Sequence, residues 1–378
     1  MPRYKFSDFA YNINQKKMPE PGDEEMYIGL EHLDTGSLQV KRWGSDVPIT
    51  GEKLVMKKGD ILFGRRNTYL RRAAIAPHNG IFSAHGMIFR PNTELMDPDY
   101  FPFFISSDYF MNAAIRISVG SLSPTVNWKT LKDLEFDIPD LESQRKSAEL
   151  LTAANDLKQS YEALLVQIDE LVKSQFIEMF GDPVTNTQGR EQVPFGSLMK
   201  NLKYGTSQPP VFTEGGQYKF VRATNIKAGR ITENDMLHID EEAAAKLEKC
   251  KLYGNEIIIV RSGANTGDTC VVTDEYAGNY AGYDIIITLD LDKCNPVYYN
   301  ELLNTHYMQQ VVKPLTARSA QPHINAQQVQ GLPMLVASLD EQNRFAEFVA
   351  QSDKSKFELK KAINDINELI KSLMQQDT

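Results

Sequence analysis

The sequence contains little cysteine and no long apolar run, and its first residues do not have the pattern of a secretion signal. Cys250, Cys270 and Cys294 lack the close spacing of zinc-binding motifs. A membrane helix needs about 18 consecutive apolar residues, and no such run is present, so no membrane span is predicted. The first residues, MPRYKFSDFAYNINQKK, lack the apolar centre of a signal peptide. These absences favour a reducing, cytoplasmic setting.

Recognisable catalytic motifs are also missing. Asn295–Tyr298 approaches the Asn-Pro-Pro-Tyr motif of amino methyltransferases, but it lacks the second proline and a preceding Gly-x-Gly loop. A proline in the first turn of a helix explains this stretch better. Gly263–Gly267 is not followed by the Lys-Ser/Thr of a phosphate loop, and the Glu-x-Lys at Glu358–Lys360 lies in a helical pattern. The histidines show no paired metal spacing, so no catalytic residue, metal ligand or cofactor site is predicted.

The formal net charge of −9 argues against a chain that coats nucleic acid indiscriminately. One segment has the opposite sign. Residues 57–72, KKGDILFGRRNTYLRR, hold six basic residues against the single acid Asp60. This local basic surface is compatible with nucleic-acid binding, although a solvated loop would have the same composition.

The chain contains the same arrangement twice, at an offset of 198 positions. Asp97–Tyr100 is matched by Asn295–Tyr298, and the helical stretch beginning Leu-Glu-Ser-Gln at Leu141 is matched by the one beginning Leu-Asp-Glu-Gln at Leu339. A constant offset over such a length indicates a tandem duplication.

Both long stretches carry apolar residues at alternating spacings of three and four, which predicts a coiled-coil seam. A pseudo-two-fold axis relating the two copies makes the helices antiparallel. The predicted seam consists of Leu150, Leu157, Tyr161, Leu164, Ile168 and Leu171 in the first helix and Phe348, Leu359, Ala362, Ile366 and Leu369 in the second.

Each copy reads as a globular region followed by its long helix. Strands broken by Gly and Pro are expected in both, and Tyr100–Ile117 and Tyr298–Leu315 each suit a short helix packed on the sheet. We predict an α+β fold, a tandem duplication of two mixed α/β domains separated by two long helices that form an antiparallel coiled coil. The predicted boundaries are 1–140 for the first domain, 141–180 for the first helix, 181–194 for a linker, 195–338 for the second domain and 339–378 for the second helix.

The candidate binding residues are polar loops that follow corresponding strands in the two copies. Arginine and asparagine match guanine and adenine edges in the major groove, and Arg, Lys and Ser/Thr also hold phosphates. The sequence does not decide between these two roles. The main candidates are Arg65, Arg66, Asn67, Tyr69, Arg71 and Arg72 in the first copy and Arg261, Ser262, Asn265 and Thr266 in the second. Lys203, Thr206, Ser207 and Arg318 are further candidates, for which a structural role competes.

This arrangement resembles the DNA specificity subunit of type I restriction-modification systems. The resemblance covers essentially the whole chain and is carried by the paired helix openings at Leu141 and Leu339, by Met179–Pro183 at the close of the first helix, and by the repeated strands near Asp60 and Glu256. It implies two target recognition domains that read a bipartite, asymmetric site in double-stranded DNA. It also implies a non-catalytic subunit that holds two methyltransferase subunits, joined by restriction subunits. S-adenosylmethionine, ATP and Mg²⁺ are then expected in those partner subunits.

Two other interpretations stay open from the sequence. In the first interpretation, the chain is a self-contained DNA methyltransferase or nuclease. Binding of S-adenosylmethionine by the isolated chain would favour this interpretation. In the second it is a coiled-coil adaptor that binds proteins. Salt-sensitive preference for one DNA sequence would exclude the adaptor.

Overall fold

The structure, a computed structural model, describes residues 1–316 and 322–376 of the chain. Two units are present: unit 1 comprises residues 1–162 with the end of the chain from Lys360, and unit 2 comprises Ala163–Leu359. Each unit therefore contains one globular region and a part of both long helices. No helix in the described ranges is long and apolar enough to cross a membrane.

Unit 1 is built on two small sheets. Its strands are β1 (Arg3–Lys5), β2 (Ala10–Asn12), β3 (Lys16–Lys17), β4 (Tyr27–Ile28), β5 (Lys53–Met56), β6 (Ile61–Phe63), β7 (Ala73–Ile75), β8 (Gly80–Phe82), β9 (Met87–Pro91) and β10 (Glu135–Asp137). Its helices are α1 (Phe6–Phe9), α2 (Phe101–Ser106), α3 (Asp108–Arg116), α4 (Trp128–Leu131) and the start of α5 (Leu141–Phe180). One sheet has the order β2-β9-β6-β7 and the other β3-β5-β8-β4, while β1 pairs with β10.

A cluster of aromatic rings forms the core of unit 1. Phe6, from α1, lies edge-on to Phe89 of β9 with the ring centroids 5.2 Å apart, and it also contacts Phe110 and Phe136. All four side chains are buried. Edge-to-face pairs of this kind add to the stabilisation that burial provides.

Unit 2 repeats this plan. Its strands are β11 (Gln192–Pro194), β12 (Met199–Tyr204), β13 (Tyr218–Val221), β14 (Ile226–Lys227), β15 (Arg230–Ile231), β16 (Leu237–Ile239), β17 (Ile257–Ile259), β18 (Thr269–Val271), β19 (Tyr280–Ala281), β20 (Ile285–Leu289) and β21 (Pro333–Leu335). Its helices are α6 (Glu241–Ala245), α7 (Pro296–Asn304), α8 (Lys313–Thr316), α9 (Ala326–Gln330) and the first part of α10 (Leu339–Gln376), with a π-helical turn at Met308–Val312.

The sheets of the two units correspond. The antiparallel order β12-β20-β17-β18 in unit 2 repeats β2-β9-β6-β7, and β11-β21 repeats β1-β10. Each unit also has one parallel pair, β4 with β8 and β13 with β19. The duplication seen in the sequence is therefore a duplication of sheet topology.

The short helices differ from the sequence expectation. Tyr100–Ile117 is interrupted at Ser107, whose backbone is extended and whose hydroxyl accepts a hydrogen bond from the N–H of Phe110, starting α3 anew. Tyr298–Leu315 is likewise interrupted after α7 at Thr305, which is also extended. The Thr305 hydroxyl donates to the carbonyl of Leu302 and accepts from the N–H of Tyr307. A hydroxyl residue that bonds the backbone in this way ends one helix and starts the next, so neither stretch is a single helix.

The long helices begin and end at defined signals. The Asp140 carboxylate accepts from the N–H of Ser143 at the start of α5, and Ser338 and Glu341 form reciprocal bonds at the start of α10. These are N-terminal caps. Immediately after α5, Gly181 adopts a left-handed backbone, which favours glycine and ends the helix.

The two long helices run antiparallel. In unit 2, Phe176 of α5 packs against Phe345 of α10, and Asp169, two turns earlier, pairs with Lys356, further along α10. In unit 1, Leu373, near the end of α10, packs on the core that contains Leu151 from the start of α5. The predicted antiparallel pairing is confirmed.

The predicted seam is wrong at five positions. Leu150, Leu157, Leu164, Leu171 and Leu369 are 42–57% exposed. The remaining predicted residues, Tyr161, Ile168, Phe348, Leu359, Ala362 and Ile366, are half-buried or buried.

The fully buried face of α5 lies one position along from the predicted leucines. Leu151, Val172 and Phe176 line it. The reason is that each long helix packs on a globular core as well as on the other helix, so the buried face is not set by helix pairing alone.

Candidate nucleic-acid interface

In unit 1 the loop after β6 is fixed by backbone bonds to a second loop. The carbonyl of Arg65 accepts from the N–H of Val126 at 3.0 Å, and the N–H of Asn67 donates to the carbonyl of Pro124 at 2.7 Å. Asn67 has a left-handed backbone, φ 54°, a conformation that asparagine tolerates better than most residues. The basic loop is therefore ordered by the protein itself.

Unit 2 repeats this clamp with different residues. The carbonyl of Arg261 accepts from the N–H of Ile324 at 3.0 Å, and the N–H of Gly263 donates to the carbonyl of Pro322 at 3.3 Å. Arg261 follows β17 by two residues as Arg65 follows β6, and Ile324 lies at the offset of 198 from Val126. Two loops of unlike sequence are thus held in the same way at the same place in the duplicated frame.

The side chains of the unit 1 loop divide into free and engaged groups. Arg66 and Tyr69 are exposed, and within the described ranges the Arg66 guanidinium forms one hydrogen bond, to the Ser123 hydroxyl at 3.3 Å. Arg71 instead pairs with Asp108 and Asn112. Arg66 and Tyr69 are consequently best placed to meet a ligand.

Arg65 and Arg72 are half-buried. Arg72 donates to the carbonyl of Leu30 at 2.9 Å, and burial lowers the pKa of its guanidinium from the ordinary value. Arg65 donates to the carbonyl of Ala84 at 3.4 Å. The Nε atoms of both arginines are buried without a partner among the described residues. These two side chains stabilise the loop through bonds to backbone carbonyls, and their Nε–H donors are not used within the described part of the chain.

In unit 2, Arg261 lies between two aromatic rings. Its guanidinium carbon is 4.6 Å from the ring centroid of Tyr204 and 4.3 Å from that of Tyr283, and such cation–π contacts fix the plane of the guanidinium. Its backbone N–H donates to the carboxylate of Asp284 at 3.1 Å. Burial raises the pKa of this carboxyl to about 6.

The other predicted residues of the unit 2 loop shape the loop itself. The Asn265 side chain donates to the carbonyl of Ala223 at 3.2 Å. The hydroxyl of Thr266, 3% exposed, donates to the carbonyl of Gly263 at 2.6 Å. Ser262, which is half-buried, pairs through its backbone with His323.

The further candidates are distributed differently. Lys203 is engaged inside the unit: its ammonium is 3.0 Å from the Glu256 carboxylate and 4.9 Å from the Tyr253 ring centroid. It therefore stabilises the sheet and does not face a ligand. Thr206 and Ser207, predicted from a separate stretch, line one cleft together with Ser262. Arg318 lies outside the described residues.

Sequence reasoning missed the aromatic and acidic groups around Arg261. The available signal in the sequence was that Tyr204 precedes Gly205 and Tyr283 follows Gly282, since glycines permit two backbone segments to approach closely. A Cβ on Gly205 would lie 1.6 Å from the carbonyl oxygen of Gly282, so only glycine permits this approach of two backbone segments. Within the described residues, no group of three or more His, Cys, Asp or Glu side chains is arranged to hold a metal ion.

Comparison with known proteins gives one consistent result. The family model described as type I restriction modification DNA specificity domain matches residues 7–169 and 198–368. The type I restriction enzyme MjaVIII specificity subunit of Methanocaldococcus jannaschii is 20% identical over 392 residues, covering 97% of this chain and 91% of that protein. The MjaIX specificity subunit of the same organism is 30% identical over 167 residues, covering 40% of this chain and 38% of that protein.

Solved structures with the same fold cover nearly the whole chain. The S subunit of a type I restriction-modification system from M. genitalium aligns with a TM-score of 0.57 at 12% identity, covering 99% of this chain and 94% of that one. A chain from a structural study of complex assembly and conformational transition of the type I R-M system aligns with a TM-score of 0.56 at 16% identity, covering 100% and 97%. At these identities the likeness shows the fold.

Proposed function

The chain belongs to the family of type I restriction-modification DNA specificity subunits, and we propose that it reads a bipartite DNA sequence with one half-site for each unit. It is a specificity subunit and not an enzyme. In this proposal residues 1–140 and 195–338 are the two target recognition domains, and the long helices space them.

The observation that carries this proposal is the duplicated loop clamp. One frame holds a loop with exposed Arg66 in unit 1 and a loop with a stacked Arg261 in unit 2. The two loops occupy equivalent positions in their units, so each can contact DNA in the same way. Their side chains differ, which gives them different base preferences. The target is therefore asymmetric.

The partners in this proposal are double-stranded DNA, two methyltransferase subunits and restriction subunits, in the cytoplasm. S-adenosylmethionine, ATP and Mg²⁺ belong to those partner subunits. The exposed leucines of α5 support the assembly: Leu150 and Leu157 lie in unit 1, Leu164 and Leu171 in unit 2, each pair seven residues apart. Exposed apolar positions at helical spacing suit the packing of a partner helix.

Replacing Leu150 by aspartate is expected to weaken assembly with the methyltransferase subunit at least about tenfold, since a charge would be buried in the interface. Stability should change by less than about 0.5 kcal/mol because the side chain is exposed. Thr152→Asp, exposed at the opposite side of the same helical turn, is the matched control. Analytical ultracentrifugation of the mixed subunits measures the assembly of the two variants. Equal assembly of both would contradict the proposed docking position.

Arg66→Ala tests the role of the unit 1 loop in DNA binding. If Arg66 reads a base, discrimination at one position of one half-site should fall by about 1–3 kcal/mol. If it holds a phosphate, affinity should fall for all sequences and the salt slope should shrink by about one. Arg42→Ala, which removes an exposed arginine paired with Asp34, is the control for lost charge.

The measurement is salt-titrated binding of the assembled methyltransferase complex to target and scrambled duplexes. If wild-type protein shows no preference for any sequence, the DNA-reading function fails. A preference that neither Arg66→Ala nor Arg42→Ala alters would remove Arg66 from the interface and leave the function standing.

A further inference from the structure

A cleft of about 360 Å³ opens in unit 2 beside the Arg261 loop. Its size falls in the range of small-ligand pockets, roughly 300–1,000 Å³. Three aromatic side chains line it: Phe212 and Tyr283, about 40% exposed, and Phe220, which is buried. The rings of Phe212 and Phe220 meet with their centroids 5.5 Å apart. Two exposed rings beside a buried one provide flat surfaces for a planar ligand.

Two polar groups in this cleft have unused hydrogen-bonding capacity. Asp284 is 4% exposed, and its Oδ1 accepts from the N–H of Arg261. No hydrogen bond from a described residue reaches its Oδ2, which is not among the fully buried atoms of the described residues. The Nε of Arg222 is buried without a partner among the described residues, although its Nη2 donates to the carbonyl of Asp235. A carboxylate is costly to bury unless it accepts hydrogen bonds, so the open acceptor of Asp284 in this cleft favours a ligand that donates to it.

The chemistry of the cleft is absent from the other copy. At the offset of 198 that relates β9 to β20, Asp284 corresponds to Gly86 and Tyr283 to His85. The duplicated frame therefore does not require an acid or a tyrosine at these positions. Their presence in unit 2 calls for a function specific to that unit.

We propose that this cleft binds a single cytosine or adenine base through its exocyclic amino group. Aromatic side chains stack on bases, and a carboxylate accepts from the amino group of cytosine or adenine. Arg222 lines the same cleft and gives it a positive charge. The inference rests on the proposed function, because the adjoining Arg261 loop is the loop that brings DNA to this surface. The base comes either from the DNA target, unstacked from its duplex, or from a free nucleotide.

Mispaired duplexes test the DNA source. A base that is already unpaired costs less to unstack, so a mispair at the captured position should tighten binding by about tenfold. We expect this at one position of the half-site read by unit 2, distinct from the adenines that the complex methylates. Asp284→Asn, which can still accept from the Arg261 N–H, and Phe212→Ala should both abolish the tightening. Tyr283→Phe keeps the ring and should preserve it.

Titration of the chain with deoxycytidine and deoxyadenosine monophosphate tests the free-nucleotide source. Binding that Asp284→Asn removes, without any mispair effect, would support the cleft with a free nucleotide as its ligand. If no non-methylated position responds to a mispair and neither nucleotide binds, the inference is overturned. Binding of the wild-type complex to the fully paired target duplex and to a scrambled duplex is measured alongside. If the wild-type complex does not prefer the target duplex, the proposed function is contradicted instead.

Discussion

Gln342→Leu is expected to lower the free energy of unfolding by about 3 kcal/mol or more. The amide of Gln342 is fully buried and bonds three backbone groups: it accepts from the N–H of Asn295 at 2.8 Å and donates to the carbonyls of Lys293 and Ala337 at 3.2 and 2.9 Å. Leucine fills similar space but leaves all three groups unpaired, each at a cost of about 1–3 kcal/mol. The side chain thus joins the start of α10 to the loop before α7.

Gln144→Leu should have a similar effect in unit 1. Gln144 is also fully buried and bonds the N–H of Asp97 and the carbonyls of Leu95 and Pro139. Gln351→Leu, at an exposed position of α10, should change stability by less than about 0.5 kcal/mol. Denaturant unfolding followed by circular dichroism measures all three variants. If the two buried variants behave like the exposed one, the glutamine clamp does not stabilise the frame.

Arg230→Ala is expected to destabilise unit 2 by about 2–3 kcal/mol. The guanidinium of Arg230, on β15, is 2.7 Å from the Glu301 carboxylate on α7 and 2.8 Å from the Asp353 carboxylate on α10. Glu301 is only 8% exposed, and without Arg230 its carboxylate keeps a hydrogen bond from the Asn300 amide but loses its cation. A nearly buried charge without a counter-charge costs more than the ion pair contributes. Arg230 is about one-third exposed, which places the expected loss at the lower end for buried pairs.

Removing the stranded acid should restore part of that loss. The double variant Arg230→Ala with Glu301→Gln is expected to be more stable than Arg230→Ala alone, because an amide is less costly to bury than an unpaired charge. Lys246→Ala, which removes an exposed lysine paired with Glu242, should leave the stability almost unchanged because exposed ion pairs contribute little. Equal midpoints for Arg230→Ala and Lys246→Ala in denaturant unfolding would show that the network does not hold the domain to α10.

The sequence predicted the frame well because the duplication shows directly in it. The offset of 198 aligns Gln144 with Gln342 and Ser107 with Thr305. In each pair the two side chains form equivalent hydrogen bonds to the backbone, which explains why the same residue types recur in both copies. The interruption of the short helices was not predicted, since apolar periodicity continues through Ser107. A hydroxyl that caps the next helix is visible only once the backbone is known.

The buried face of α5 and the side chains that surround Arg261 could not be predicted from the sequence, for the same reason. Heptad spacing favoured the leucines at 150 and 157, whereas the globular core buries Leu151, and no local pattern states which neighbour a helix face will meet. Likewise Tyr204 and Tyr283 contact the same guanidinium although they are far apart in the chain. Non-local packing decides both features.

Mapping of methylated adenines in genomic DNA tests the central claim most directly. Cells carrying this gene and its methyltransferase are compared with cells in which residues 184–338 are replaced by those of another specificity subunit. We expect one split, asymmetric motif with the native chain and a motif altered in only one half after the exchange. A methylation pattern that is unchanged, or altered in both halves, would contradict the assignment of one half-site to each unit.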